Sequence, residues 1–432
     1  MLNVSKEQKL QLDCLRSLTQ AESLKRIETH IDPDLDWTEV LESAGWHGIE
    51  PILYFFLKDR HEESPIPAEV LDDLKTSYYR ALASNMALYH ELNHILELFN
   101  RTGLDLILLK GAALAKTVYR SAALRPMTDI DILVKKNDVP HAERLLDELG
   151  YKFRGTRAPD WYRKNYYHLV YVNREKKFPV EVHWHIANST FPPPIAVTDD
   201  SIMKNWWAKS RRIELDGEET LSLAPEHLLF LLCIHFLKHR FQSPYGGYRG
   251  VFSSRHALIQ MQDIMSVIKY YQTDLDWDRF YNDTENNGVL SVVASTLVLV
   301  KDLLELNDGS TIVPPRTKGG ADHDEDLADL IRSRLFSRNY IFSLTPESFF
   351  QSLLDGNFKT KVRNLAGAVL PDSEFITNLY SLPRRSKKRY FYYPKYLYDF
   401  VKNNRKRIGV KPTFKEMKVI NKWIGSEPRG AE

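Results

Sequence analysis

The chain of 432 residues is poor in cysteine, in long apolar runs and in net charge. Its two cysteines, Cys14 and Cys233, exclude a disulfide framework and a multi-cysteine zinc site. The longest apolar stretches, 227–237 and 289–300, are well short of the roughly 20 residues that a membrane-spanning helix needs. The polar first residues do not resemble a secretory signal, so we expect a cytoplasmic protein without a transmembrane segment. A net charge of +2 predicts that any preference for nucleic acid or membranes is local.

The rest of the composition is that of a globular protein. Hydrophobic residues make up 43% of the chain and aromatic residues 12%, and the length predicts two or three domains. Residues 104–186 predict the order strand–helix–strand–helix–strand–strand. We therefore expect an α+β fold, in which a small mixed-sheet core is embedded in a mainly helical protein. The predicted divisions are a helical region 1–88, an α/β core 89–215, a helical lobe 216–310 and a C-terminal helical region 311–432.

The segment TDIDILV (128–134) contains the most informative pair of residues. On a strand, Asp129 and Asp131 share one face, about 7 Å apart along the strand. Burying two carboxylates together is unfavourable unless a cation lies between them, and carboxylate oxygens select Mg²⁺ or Mn²⁺. The pair therefore indicates a metal site. The alternative is an exposed strand with solvated aspartates.

A phosphate-binding turn is predicted shortly before this strand. Lys110, Gly111 and Ala112 follow the apolar run 104–109 and open a helix. A glycine lets the backbone approach a phosphate, and the start of a helix offers free N–H donors. Arg125, just before the aspartate strand, has a guanidinium that can bind phosphate oxygens. Surface solvation of the two cations and an ordinary turn at the glycine would explain the same pattern.

A third carboxylate lies on the later segment VEVHWHI (180–186). Alternation places Glu181, His183 and His185 on one face. If this strand lies beside the aspartate strand, Glu181 completes a cluster suited to two-metal phosphoryl or nucleotidyl transfer. A rival is a zinc site made of both histidines and either Asp129 or Asp131. The histidines are also compatible with simple hydrogen bonding on a half-buried strand.

These segments resemble the uncharacterised nucleotidyltransferase family of the DNA-polymerase-β-like superfamily, over residues from about 40 to 277. The resemblance rests on LILLKGAALAKTVY (106–119), LRPMTDIDILVKKNDV (124–139), VEVHWHI (180–186) and APEHLLFLLCIHFLKH (224–239). Members of the superfamily carry a Gly-Gly or Gly-Ser pair, an acidic–hydrophobic–acidic strand and a third acidic residue on a later strand. The positions that fit are Gly111, Asp129, Asp131 and Glu181.

The resemblance implies roles for these residues. Asp129 and Asp131 would bind both Mg²⁺ or Mn²⁺ ions, and Glu181 would bind the catalytic ion and help to deprotonate an acceptor hydroxyl. The backbone at Gly111 would hold the triphosphate. The expected nucleotide-binding residues are Lys110, Gly111, Ala112, Arg125, His183 and His235.

The reaction implied is transfer of an NMP group from an NTP to an unknown acceptor, with release of pyrophosphate. The acceptor is a protein, peptide, RNA or small molecule. One alternative is a non-catalytic nucleotide-sensing or antitoxin-like partner-binding module on the same fold. Another is transfer or hydrolysis of a different phosphate ester by the same metals.

The helical half contains His227, His235 and His239. His235 and His239 are four residues apart and share one helix face, so with Asp263 they could form a second metal or substrate site. A purely structural role is the alternative. The family motif favours an active-site position for His235.

Two further segments have compositions that suggest binding. Residues 242–255 are aromatic, basic and rich in glycine, which suits an acceptor-recognition loop or a connector. The basic-aromatic tail 383–407 suggests an anionic partner, either RNA or a membrane surface. A helix that packs its aromatic residues on the core is the alternative for the tail.

Overall fold

The computed structural model describes residues 4–60, 64–155, 157–176, 178–187, 200–241, 251–252, 254–305, 322–337, 340–342, 391–395, 408–410 and 419. In this part of the chain a seven-stranded mixed sheet is set among many helices, which confirms the expected α+β fold. The basic-aromatic tail lies outside the described residues except for 391–395, and the loop 242–255 is described only at 251–252 and 254–255.

Five helices come first: α1 (Lys6–Ser17), α2 (Leu24–His30), α3 (Trp37–His47), α4 (Glu50–Leu57) and α5 (Ala68–Arg101). Helix α1 begins after Ser5 because the Ser5 side chain accepts the Gln8 N–H and the Gln8 side chain accepts the Ser5 N–H. Helix α5 has 34 residues with no glycine or proline among them. It therefore continues without a break through the predicted division at 88/89.

The sheet contains β1 (Ile107–Leu108), β2 (Ile130–Leu133), β3 (Lys152–Phe153), β4 (His168–Val172), β5 (Val180–His183), β6 (Arg211–Leu215) and β7 (Glu218–Ser222). Their order across the sheet is β3-β4-β5-β2-β1-β7-β6. The pairs β2–β5 and β1–β7 are parallel, and the other pairs are antiparallel. Between the strands lie α6 (Lys110–Thr117), α7 (Val139–Glu148), α8 (Pro159–Asn165) and α9 (Ser201–Ala208).

The β6–β7 hairpin was not predicted. Its turn is Asp216–Gly217, and both residues have positive φ (51° and 89°), as the tight turn of a two-residue hairpin requires. The hairpin spans the predicted division at 215/216, and β7 pairs with β1. It therefore belongs to the sheet, and the helical lobe begins after it.

The later helices are α10 (Pro225–Phe241), α11 (Ala257–Tyr270), α12 (Trp277–Asn286), α13 (Leu290–Leu304) and α14 (Asp322–Arg334). A small second sheet has the order β10-β9-β8, made of Val251–Phe252 (β8), Tyr340–Phe342 (β9) and Ile408–Val410 (β10). Among the described residues, no helix is both long and apolar enough to cross a membrane.

Two hydrophobic cores organise these elements. One joins the N-terminal helices to the later helices, with Leu15 and Leu53 in the same cluster as Phe236 and Leu297. The N-terminal helices and the helical lobe thus share an interior, although they were predicted as separate regions. The other core lies under one face of the sheet, where the apolar residues of β2 and β5 pack with α5 and α7. The opposite face of these two strands carries the polar side chains, together with Leu133, which packs in the first core.

Candidate active site

Three carboxylates meet on adjacent parallel strands. Asp131 of β2 and Glu181 of β5 are register partners, and Asp129 directly precedes β2. One carboxylate oxygen from each of the three lies within 4.8 Å of the others. Their neighbours along the strands, such as Ile130 and Val180, face the buried core on the other side of the sheet. Strand alternation therefore separates the acidic cluster from the apolar interior. We call these three residues the carboxylate cluster.

Lys110 reaches the carboxylate cluster from the end of β1. Its Nζ lies 2.8 Å from Asp131 Oδ1, and both side chains are largely buried. Burial alone lowers the pKa of Lys110, but the three carboxylates outweigh that effect and the pKa is raised. Lys110 also has φ of 49°, an uncommon conformation for a residue with a side chain. The predicted phosphate ligand is thus held against Asp131.

His183 and a histidine that the sequence analysis missed complete the polar face. His183 Nε2 lies 2.8 Å from Asp131 Oδ1 and 3.3 Å from Glu181 Oε2. His168, the register partner of His183 on β4, has its Nε2 3.7 Å from Glu181 Oε2. His185 follows the end of β5, and its Nδ1 accepts the Ala187 N–H at 3.3 Å. The histidine that joins Glu181 and His183 is therefore His168, not His185.

The three carboxylates are unequally compensated. Burial raises the pKa of Asp129 to about 6, with further contributions from Asp131 and Glu181. Burial also acts to raise the pKa of Asp131, but Lys110 and His183 outweigh it and the pKa is lowered. The pKa of Glu181 is well below its usual value because the contacts with His168 and His183, together with the charge of Lys110, outweigh burial. The uncompensated negative charge thus lies at Asp129, where these oxygens suit a hard divalent cation.

Gly111 and Arg125 lie beside the cluster but differ in what they contact. A Cβ on Gly111 would lie 3.1 Å from Met127 Cγ, so the glycine permits this close packing. Arg125 Nε donates to both carboxylate oxygens of Asp263 on α11, at 2.7 and 2.9 Å, and Tyr119 also donates to Asp263. Arg125 therefore joins the sheet to the helical lobe. Asp263 is engaged by these partners, and a phosphate contact by Arg125 stays a prediction.

Helix α10 brings two groups toward the cluster. His235 and Lys238 line a cavity of about 10 Å³ together with Lys110 and His183, which has room for about one water molecule. Lys238 donates to the Tyr167 hydroxyl. Its pKa is lowered to about 8, first by burial and then by Lys110. Lys238 was not among the predicted site residues, although a cation three residues after His235 in an apolar segment is a signal that the sequence contains.

The other helical histidines lie in different surroundings. The rings of His235 and His239 are edge to face, with centroids 4.3 Å apart. His227 stacks on Trp206 with ring centroids 5.0 Å apart. Its Nε2 is 3.5 Å from Asp283 Oδ2, and neither of these two residues lines the cavity beside Lys110. His227 thus has a packing role.

Comparison with known proteins agrees with this arrangement. Residues 33–305 match the model of a family described as uncharacterised nucleotidyltransferase. The match covers more than half of the chain and contains all the predicted site residues, so the chain belongs to this family. It begins before the predicted start at 40 and extends past 277, from the loop before α3 to the end of α13. No curated protein and no solved structure matches the chain.

Proposed function

We propose that this member of the uncharacterised nucleotidyltransferase family transfers an NMP group from an NTP to an acceptor hydroxyl and releases pyrophosphate. The observation that carries the proposal is the in-register pair Asp131 and Glu181 with Asp129 beside it. Family membership supports a general role in nucleotidyl transfer. The oxygen-only cluster supports Mg²⁺ or Mn²⁺ as the ion.

The charges of the site residues indicate their roles. When bound, a divalent ion neutralises charge on the reacting phosphate and orients it. Asp129, Asp131 and Glu181 would hold this ion. Because the pKa of Glu181 is lowered, Glu181 stays ionised and suits a ligand better than a proton acceptor.

The triphosphate would lie at the start of α6. The first N–H groups of a helix have no partners within that helix, and Gly111 and Ala112 are at the second and third positions of α6. Lys110 and Lys238 also lie beside this turn, and their positive charge favours an anionic group at the start of α6, outside the small cavity that they line. The acceptor would be a protein, peptide, RNA or small molecule, and the tail 383–407 would bind an anionic partner.

Calorimetry tests the donor site. Each NTP is titrated with Mg²⁺ and with Mn²⁺ into the wild type and the Asp129→Asn/Asp131→Asn variant. We expect metal-dependent binding of one NTP that is lost in the variant. The matched control is Asp147→Asn/Asp160→Asn, which changes two exposed aspartates of the same region and should bind as the wild type does.

Turnover is then measured as pyrophosphate release with protein, RNA and small-molecule acceptors. We expect the Asp131→Asn variant to be slower by at least about a hundredfold. If no NTP binds in the presence of either metal, the proposal is wrong. Binding without pyrophosphate release with any acceptor class would instead favour the nucleotide-sensing or antitoxin-like module.

A further inference from the structure

We propose that the Lys110 ammonium fills one of the two cation positions of the carboxylate cluster, so that the site takes one divalent ion instead of two. This inference rests on the proposed function, because it concerns the ion used in nucleotidyl transfer. Two-metal sites for phosphoryl transfer place their ions about 3.5–4 Å apart between shared carboxylates. The position of Lys110 bears directly on whether two ions have room here.

One oxygen of Asp131 already has two nitrogen partners. Asp131 Oδ1 lies 2.8 Å from Lys110 Nζ and 2.8 Å from His183 Nε2. A carboxylate oxygen has two lone-pair sites, so these two nitrogen partners occupy both. The aspartate at the centre of the cluster therefore has only Oδ2 left for a metal, and bridging two ions through both of its oxygens would require Lys110 or His183 to leave.

The backbone of Lys110 has a left-handed conformation. Among the residues that the structure describes, only four non-glycine residues have positive φ, and Lys110 is one of them. Such a conformation persists where the surroundings impose it. Here the surroundings include the short β1 strand, whose end is tied to β2 by the Leu109 N–H donating to the Asp131 carbonyl at 3.1 Å. The left-handed residue thus directs its ammonium into the carboxylate cluster.

The charges of the cluster also favour a single divalent ion. The three carboxylates carry three negative charges when ionised, and one divalent ion together with the Lys110 ammonium balances them. A second divalent ion would leave two surplus positive charges beside the buried side chain of Lys238, whose own positive charge adds to them. Buried unbalanced charge is strongly unfavourable. Neutrality therefore favours one ion and one ammonium.

Bound Mn²⁺ provides the test. Equilibrium dialysis counts ions per chain, and electron paramagnetic resonance distinguishes an isolated ion from two spin-coupled ions a few ångströms apart. Both are measured with Mn²⁺ alone and with a non-hydrolysable NTP analogue. We expect the wild type to bind one Mn²⁺ ion per chain, with the spectrum of an isolated ion. In Lys110→Met the count should rise to two, with a coupled spectrum.

The controls separate charge from folding. Lys110→Arg keeps a cation and should stay at one ion. Lys116→Met removes a lysine of the same helix that pairs with Asp216, and it should also stay at one.

Two coupled ions in the wild type would overturn the inference while leaving the proposed function intact, and this measurement does not depend on any variant folding. An unchanged count in folded Lys110→Met would overturn it as well. If the wild type binds no Mn²⁺, the proposed function fails together with the inference.

Discussion

Two groups of charged residues, each with buried members, lie in different parts of the molecule. The first is the carboxylate cluster of the sheet. The second, the N-terminal ion-pair cluster, joins α1 and α2 to the end of α13 and consists of Asp13, Arg16, Arg26, His30 and Glu305. In it, Arg16 Nη1 is 2.7 Å from Asp13 Oδ1 and Arg26 Nη1 is 2.6 Å from Glu305 Oε2. Two carboxylates thus meet two guanidinium groups, whereas in the sheet three carboxylates meet one ammonium.

The comparison indicates that the two clusters differ in their balance of charge. Arg16 Nη2 also donates to the Leu303 carbonyl at 2.7 Å, near the C-terminal end of α13, where carbonyl groups lack helical partners. In the N-terminal cluster the charges therefore pair with one another, and the pairs connect α1 and α2 to the end of α13. The carboxylate cluster keeps a surplus of negative charge at Asp129, which a cation from solution would balance.

The largest effect on stability is expected from breaking the balanced cluster. Arg16→Met removes the guanidinium from buried Asp13, and losing one member of a buried ion pair costs about 3–5 kcal/mol when the other member is left unpaired. Because Arg26 and His30 stay near Asp13, we expect a loss in the free energy of unfolding of about 3 kcal/mol, the lower end of that range. Urea denaturation measures this change, and the variant should bind metal as the wild type does. As a control, Arg212→Met breaks an exposed pair with Glu219 and should cost at most about 1 kcal/mol. A loss for Arg16→Met as small as that of the control would contradict a structural role.

A smaller effect is expected at His227, which represents a third case, a buried ionisable group that stays neutral. Burial, followed by Lys209 and Arg279, lowers the pKa of His227 to about 3. The unfolded chain takes up this proton near pH 6.5, so stability falls as the pH falls from 6.5 toward 3. Between pH 7 and pH 5 this one histidine accounts for a loss of about 2 kcal/mol.

The variant His227→Gln isolates that contribution. Its free energy of unfolding should fall less than that of the wild type between pH 7 and pH 5, whatever stability it loses at both pH values through its missing contact with Trp206. His90→Gln, at an exposed position of α5, controls for the loss of a histidine. Equal pH dependence of His227→Gln and the wild type would show that His227 takes up its proton in the folded state as readily as in the unfolded chain.

The sequence was informative wherever a local pattern determines the structure. Alternation in 128–134 and 180–186 predicted which carboxylates share a strand face, because alternation depends only on neighbours along the chain. The β6–β7 hairpin had its own signal in Asp216–Gly217, and the sequence analysis overlooked it.

The remaining features depend on contacts between distant segments. His168 joins the site only through the antiparallel register of β4 and β5, and Lys238 only through the placement of α10. Arg125 had two possible anionic partners, phosphate and a carboxylate, and the packing of α11 supplies Asp263. An apolar helix face likewise shows that it is buried but not what covers it, which explains why the shared core of α1 and α13 was not predicted.

The smallest effect has the opposite sign and addresses the comparison most directly. The pKa of Asp129 is raised to about 6 in the folded protein, against an ordinary value of 3.8. The folded state therefore holds this proton more tightly than the unfolded chain, and the ionised side chain destabilises the metal-free protein increasingly as the pH rises from 4 through 6. Asp129→Asn removes that charge, so in EDTA at pH 8 it should raise the free energy of unfolding by about 1 kcal/mol, a discounted figure because the amide must also be desolvated. At pH 4 the gain should nearly vanish.

With Mn²⁺ the wild type should instead be more stable than Asp129→Asn, because an ion that binds only the folded wild type stabilises it. A stability loss in EDTA at pH 8 comparable to that of Arg16→Met would show that the two clusters are alike after all, each balanced by its own residues.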